Sequence, residues 1–134
     1  IKSSRGGHSL TKKGEEFLKN LPGLVQVNAG DLTVARFDVA TVVRNAMRYV
    51  GSGVELRDEA IKIGAKGATV LVFKNGGLQF PDGFGVKGEL PKFLMKTFCL
   101  RNGDVVIIGS GKNWTSAKLG AMAVARKLLD LRPH

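Results

Sequence analysis

The residues best suited to chemistry form the run Gly109-Ser110-Gly111-Lys112-Asn113. It stands between an apolar strand-like segment, Asp104–Ile108, and a long helical segment ending near Leu131. Backbone N–H groups left free at a helix start suit a phosphate or a carboxylate. The hydroxyls of Ser110, Thr115 and Ser116 and the charge of Lys112 would add to that. No named nucleotide motif is complete here. A P-loop requires glycine where Val106 stands and Ser or Thr where Asn113 stands. A dinucleotide fingerprint begun at Gly109 requires a third glycine at Trp114. The competing, purely structural reading is a tight strand-to-helix turn capped by Asn113 or Ser110.

Arg44, Arg48 and Arg57, with Asp58, make a second cluster. Arginines at the ends of a strand and a helix can grip an anion bidentately. The plainer alternative is a set of ion pairs, Arg57–Asp58 among them, or solvated edges. The candidate site for an anionic effector is therefore Ser110, Gly111, Lys112 and Arg44.

Catalytic and metal-binding arrangements are poorly supported. His8 and His134 sit in the end segments, where a general base is hard to hold in place. Asp58 and Glu59 point to different helix faces, and no His, Cys or carboxylate cluster has ligand spacing. The sequence thus reads as a non-enzyme with no cofactor. Cys99, the single cysteine, excludes an intrachain disulfide and suits a reducing cytoplasm. Between Phe98 and Leu100 it reads as a small buried hydrophobe.

Composition narrows the partners. The 134 residues carry a net charge of +10 at a mean hydropathy near zero. Residues 1–20 hold five Lys/Arg against two Glu, and residues 90–134 hold eight against two Asp, so the ends are basic and the middle is close to neutral. Such polarity points to an anionic partner, nucleic acid first, with solubility as the bland alternative. No apolar run approaches the roughly 20 residues of a membrane span, and no secretory signal is visible.

The elements that must position these residues centre on Gly53–Asn75. Leu56, Ala60 and Ile63 recur on one helical face, Gly64 and Gly67 supply a stop, and Ala68–Phe73 is a buried-type strand. Before this unit, Leu24–Asn28 and Leu32–Arg44 read as strands joined at Ala29-Gly30-Asp31, and Asn45–Val50 as a short irregular or helical turn. After it, Asn75-Gly76-Gly77 signals a hairpin into Leu78–Phe80, Pro81–Glu89 a loop, and Leu90–Leu100 a short helix with Pro91 in its first turn. The last helix has a stripe of Ala117, Ala121, Val124, Ala125 and Leu128, small enough to pack very close to its sheet. Trp114 either stacks on a ligand or packs against Gly109–Gly111, and Phe80, Phe84 and Phe93 either form a dimerisation patch or join the core. The order implies an α+β fold, a two-layer α/β sandwich with a mixed or antiparallel sheet and helices on one face.

Residues 5–21 contain a basic, glycine-rich turn, then Leu10-Thr11, then Gly14-Glu15 and Leu18. This resembles the wing and last helix of winged-helix DNA-binding domains. The resemblance implies duplex DNA as a partner, contacted here through Arg5, Lys12 and Lys13, with a recognition helix expected upstream of Ile1. DVATVVRN, GVELRDEAIKIGAKGATVLVF and GDVVIIGSGKNWTSAKLGAMAVARKLL resemble an uncharacterised archaeal family assigned to transcriptional regulation. In that family a winged helix precedes a GAD-like α/β domain, a type also found in aspartyl-tRNA synthetase and the tRNA-dependent amidotransferase. The resemblance divides the chain into residues 1–22, the end of a winged helix, and 23–134, the GAD-like domain. It implies a cytoplasmic transcriptional regulator whose α/β domain senses an effector or mediates homodimerisation. It carries over no site. An RNA- or tRNA-binding accessory domain is the alternative, and a small enzyme acting on a phosphorylated metabolite is the third reading.

Overall fold

The computed structural model describes residues 23–30 and 37–131. Five strands, β1 (Val25–Val27), β2 (Phe37–Val43), β3 (Gly67–Lys74), β4 (Gly77–Gln79) and β5 (Val105–Gly111), form one sheet in the order β1-β2-β5-β3-β4. Every pairing is antiparallel. Among the described residues three α-helices accompany it: α1 (Val54–Lys62), α2 (Glu89–Phe98) and α3 (Trp114–Leu131). A 3-10 turn at Met47–Tyr49 supplies the short helical turn expected after β2.

The central strand β5 is apolar throughout its first four residues, so both of its faces must be covered. Period-2 alternation sends Val105 and Ile107 to one face, where they join Leu56 and Ala60 of α1 and Ala121, Val124, Ala125 and Leu128 of α3. Val106 and Ile108 go to the other, with Ala40, Val42, Leu71, and Leu94 and Phe98 of α2. Each large aliphatic side chain buried in these clusters contributes about 1.5–3 kcal/mol relative to exposure. The α+β sandwich with an antiparallel sheet holds. The expected placement of all helices on one face does not, because α2 covers part of the second face.

Local signals explain where elements stop. Gly64 has φ +96°, and the amides of Gly64 and Ala65 donate back to Ile61 and Ala60 across the end of α1. That is a Schellman closure, and it ends the helix before Ile63 can join the buried stripe. Ile63 is accordingly exposed rather than on the apolar face expected for it. The hairpin loop Asn75-Gly76 has φ +53° and +83°, as a two-residue type I′ turn requires. At the end of α2 the left-handed position falls on Cys99, at φ +50°. The thiol is exposed there, not buried as its apolar neighbours suggested.

The stripe of small residues on α3 brings the helix against β5. A Cβ added at Gly109 would lie 2.5 Å from the Ala121 amide nitrogen, and one at Gly111 would lie 2.7 Å from that of Ala117. One at Gly120, on the helix itself, would lie 2.7 Å from the Ala65 Cβ. We therefore expect Gly109→Ala and Gly111→Ala each to cost about 2–3 kcal/mol by overpacking. Gly85 has nothing within 4 Å of an added Cβ, and Gly85→Ala should stay within about 0.5 kcal/mol. Urea denaturation of the three variants checks the contrast, and equal losses would contradict it.

Candidate functional site

Strand β5 runs through Gly111, so Gly109-Ser110-Gly111 is not a loop. Gly109 pairs with Val39 and Ala68, Ser110 with Asp38 and Gly67, and Gly111 with Phe37. Their backbone groups serve the sheet ladder instead of cradling an anion. The helix start is also closed: the Ser116 amide donates to Asn113 Oδ1 at 2.8 Å and the Asn113 amide to Ser116 Oγ at 3.4 Å. This is a reciprocal cap, and the structural reading of the turn wins. Lys112 is exposed beyond the end of the strand. Trp114 packs edge-on against Phe37, with ring centroids 4.8 Å apart.

Arg44 does not join these residues. It follows Val43, which pairs with Val105 at the far end of β5, six strand steps or about 20 Å from Gly111. There its guanidinium donates to Asp104 Oδ2 at 2.7 Å and to the carbonyls of Phe98 at 2.6 Å and Cys99 at 3.4 Å. Asp104 is buried and also accepts from the amides of Asn45 at 3.1 Å and Arg101 at 2.9 Å. Arg44 thus clasps the end of β2, the last carbonyls of α2 and the start of β5. Arg5, Lys12 and Lys13, with the 1–22 segment, lie outside the described residues.

A different grouping forms at the edge of the sheet. β4 covers only Val72–Lys74 of β3, so it leaves the first half of that strand uncovered on that side. Phe73 exchanges backbone bonds with Asp104 and Gly103 toward β5. Alternation then turns the backbone groups of Ala68 and Val70 outward, where no strand among the described residues pairs with them. A groove of about 430 Å³ runs along this edge. One wall is the α1 stripe Val54, Arg57 and Ile61, at helical spacing, and another is Phe80-Pro81. Lys66–Val70 form the floor, with Ser52 and Gly53 at one end and Ser110 reached beside Gly67.

The groove combines apolar walls with a few polar groups, as small-molecule sites do. Its cations are Arg57 and Lys66, both exposed. Among the described residues neither has a carboxylate partner; the ion pairs there are Arg44–Asp104, Lys62–Glu59 and Lys92–Glu89. The Arg57–Asp58 pair considered from sequence does not form. Among the described residues, no carboxylate lines the groove. Ser110 is therefore the member of the expected anion site that the groove contains, now beside Arg57 and Lys66. The signal that could have located Lys66 was its position immediately before β3, in the Lys66-Gly67 step.

Phe80 lines the groove and packs against the second core cluster, while Phe84 and Phe93 are exposed. Among the described residues, no three His, Cys, Asp or Glu side chains gather as a metal site requires. No described helix is long and apolar enough to cross a membrane.

The fold and groove define an α+β domain with a partly open sheet edge and a basic cleft beside it. Residues 33–128 match the family described as a domain of unknown function, DUF4443, and the chain belongs to that family. It is also similar to a solved structure described as hypothetical protein PH0730 from Pyrococcus horikoshii OT3. The two share 29% identity over 92% of this chain and 71% of the other, with a TM-score of 0.61. No curated protein matches the chain. The coarser part of the resemblance, an uncharacterised family with an archaeal relative, therefore stands.

Because Arg44 closes a structural clasp, its neighbourhood should respond to mutation through stability. Asp104→Ala should cost about 3 kcal/mol, since it strands two backbone amides and the guanidinium. Binding of phosphate, followed by NMR at Ala68 and Val70, should be unchanged in Arg44→Gln. Loss of that binding with stability intact would return Arg44 to the site.

Proposed function

We propose that this chain carries the effector-sensing domain of a DNA-binding transcriptional regulator, and that the groove between α1 and the β3 edge takes a small anionic effector. One observation carries the reading: two cations, Arg57 and Lys66, converge on a lined cavity of about 430 Å³ without a carboxylate partner among the described residues. Both cations are exposed, so leaving them without a carboxylate from their own chain costs folding little. Two cations on one groove suit an external anion. The regulator half of the proposal rests on the wing-like motif of residues 5–21 and on the net charge of +10.

The groove adjoins α1, which packs through Ala60 toward Gly120 of α3. An effector held by Arg57 would act on a helix already coupled to the core, so its binding has a route to the rest of the domain.

The test is a titration of the chain with inorganic phosphate and a panel of organic phosphates and carboxylates, read by NMR at Gly67, Ala68 and Val70. Arg57→Gln and Lys66→Gln should each weaken binding about tenfold, as expected for one charge-assisted contact. Affinity indifferent to both substitutions would defeat the proposal.

A further inference from the structure

The uncovered edge of β3 offers the groove backbone groups as well as charge. Alternation turns the N–H and C=O of Ala68 and Val70 outward, and β4 does not reach them. Continuing the β4 register past Gln79 sets Phe80 opposite Leu71 and Pro81 opposite Val70. Pro81 has no N–H to give, and its Cγ would lie 3.4 Å from a Cβ placed on Gly53, a point only 3.9 Å from the Val70 Cβ. The Lys66 amide already donates to the Ser110 carbonyl at 2.8 Å, so it belongs to the pairing with β5. The open ladder position between these two limits is Ala68, half-buried, with one donor and one acceptor.

The cations and the apolar wall have a fixed order along this edge. α1 begins next to Gly53, beside Val70, and ends at Lys62, just before Lys66. Arg57 therefore stands along the groove and Lys66 at the start of β3. Every pairing in the sheet is antiparallel, and an extended ligand added in the same sense points its C-terminal end back toward Lys66. A single residue opposite Ala68 can exchange both backbone bonds. Its N–H donates to the Ala68 carbonyl, and its carboxylate accepts from the Ala68 amide. That carboxylate then lies on the side of Lys66, with Arg57 along the α1 wall. Side chains of opposed residues share a face, and Ala68 packs toward the cluster of α1 and α3. The ligand side chain thus meets Val54 and Ile61, apolar residues of that wall left exposed.

We infer that the groove takes N-acylated amino acids with an apolar side chain and a free carboxylate, each added as one antiparallel residue at Ala68. This inference rests on the groove being an anion site, as proposed above, and names the class of anion. Pro81 sets the length. A chain extended on the acyl side runs toward Val70, where the proline occupies the next place, so a full strand is refused where one residue is accepted.

The experiment titrates the chain with inorganic phosphate, N-acetyl-L-leucine and the corresponding ester, 2-acetoxy-4-methylpentanoate of the same configuration. The ester keeps the carboxylate and side chain and replaces the amide N–H with oxygen. Binding is followed by NMR at Gly67, Ala68 and Val70, in the wild-type chain and in Arg57→Gln. N-acetyl-L-leucine should bind about tenfold tighter than the ester, and its binding should slow exchange of the Ala68 amide proton. Arg57→Gln should weaken both and leave their ratio unchanged. Equal affinities for amide and ester overturn the inference. So does failure of N-acetyl-L-leucine to bind while phosphate still binds and is weakened by Arg57→Gln; the anion site then stands alone. If phosphate and both probes leave the three amides unshifted, the anion site fails, and the inference fails with it.

Discussion

The close approach of α3 to β5 is the constraint on which the rest of this structure depends. β5 lies between β2 and β3, so any displacement of it shifts both neighbours. Its last turn of sheet carries no side chain on the α3 face, because Gly109 and Gly111 alternate with Ser110. The helix answers with Ala117, Gly120 and Ala121 at the contact. Gly120 does a second job by admitting Ala60 and Ala65 of the α1 unit, so one small-residue seam joins sheet, α3 and α1. Close backbone contact gains dispersion attraction over many atom pairs and tolerates little error, since interiors pack at crystal-like density.

The same seam fixes where charge can be placed. With one face of β5 sealed by α3, the polar residue of its last stretch, Ser110, must face the other way, toward Asp38. At the opposite end of the sheet the buried carboxylate, Asp104, is treated differently: Arg44 and two amides satisfy it. The contrast separates structure from availability. Asp104 stabilises only as part of a complete network, and removing one member of such a network is costly. Arg57 and Lys66 are exposed, and exposed pairs contribute about 0–1 kcal/mol, so leaving both without a carboxylate partner costs folding little. A cationic groove can persist on this edge without burdening the core.

Much of the architecture was legible in the sequence because its signals are local. Gly64 after an amphipathic helix, Asn75-Gly76 between apolar runs, and the small stripe of α3 each act through a few neighbouring residues. The glycines of β5 allow two readings for a physical reason. A phosphate cradle and a strand pressed against a helix both require the absence of Cβ, and a Gly-Ser-Gly run does not tell them apart. Asp38–Ser110 and Arg44–Asp104 join residues 72 and 60 positions apart, so they depend on strand register rather than on spacing. Cys99 and Ile63 illustrate the same limit at helix ends. Apolar neighbours suggested burial for Cys99 and helical spacing suggested it for Ile63, but the left-handed termination of each helix turned them out.

The groove follows from a problem every open sheet has. An uncovered strand presents backbone donors and acceptors to any passing strand, which invites edge-to-edge pairing. Here β4 stops after three residues, and Ala68 and Val70 are left facing outward. Pro81 stands where the β4 side would otherwise continue, within 3.4 Å of a Cβ placed on Gly53, and cannot donate to a ladder. Arg57 and Lys66 place like charges on the same edge, which would repel the corresponding edge of a second copy. Devices that exclude a strand need not exclude a small anion: the proline and the α1 wall narrow the opening, while the charges favour the anion. Protection of the edge, and the anion recognition proposed for it, would then fall to the same few residues, which fits a small domain keeping a cavity beside an incomplete sheet.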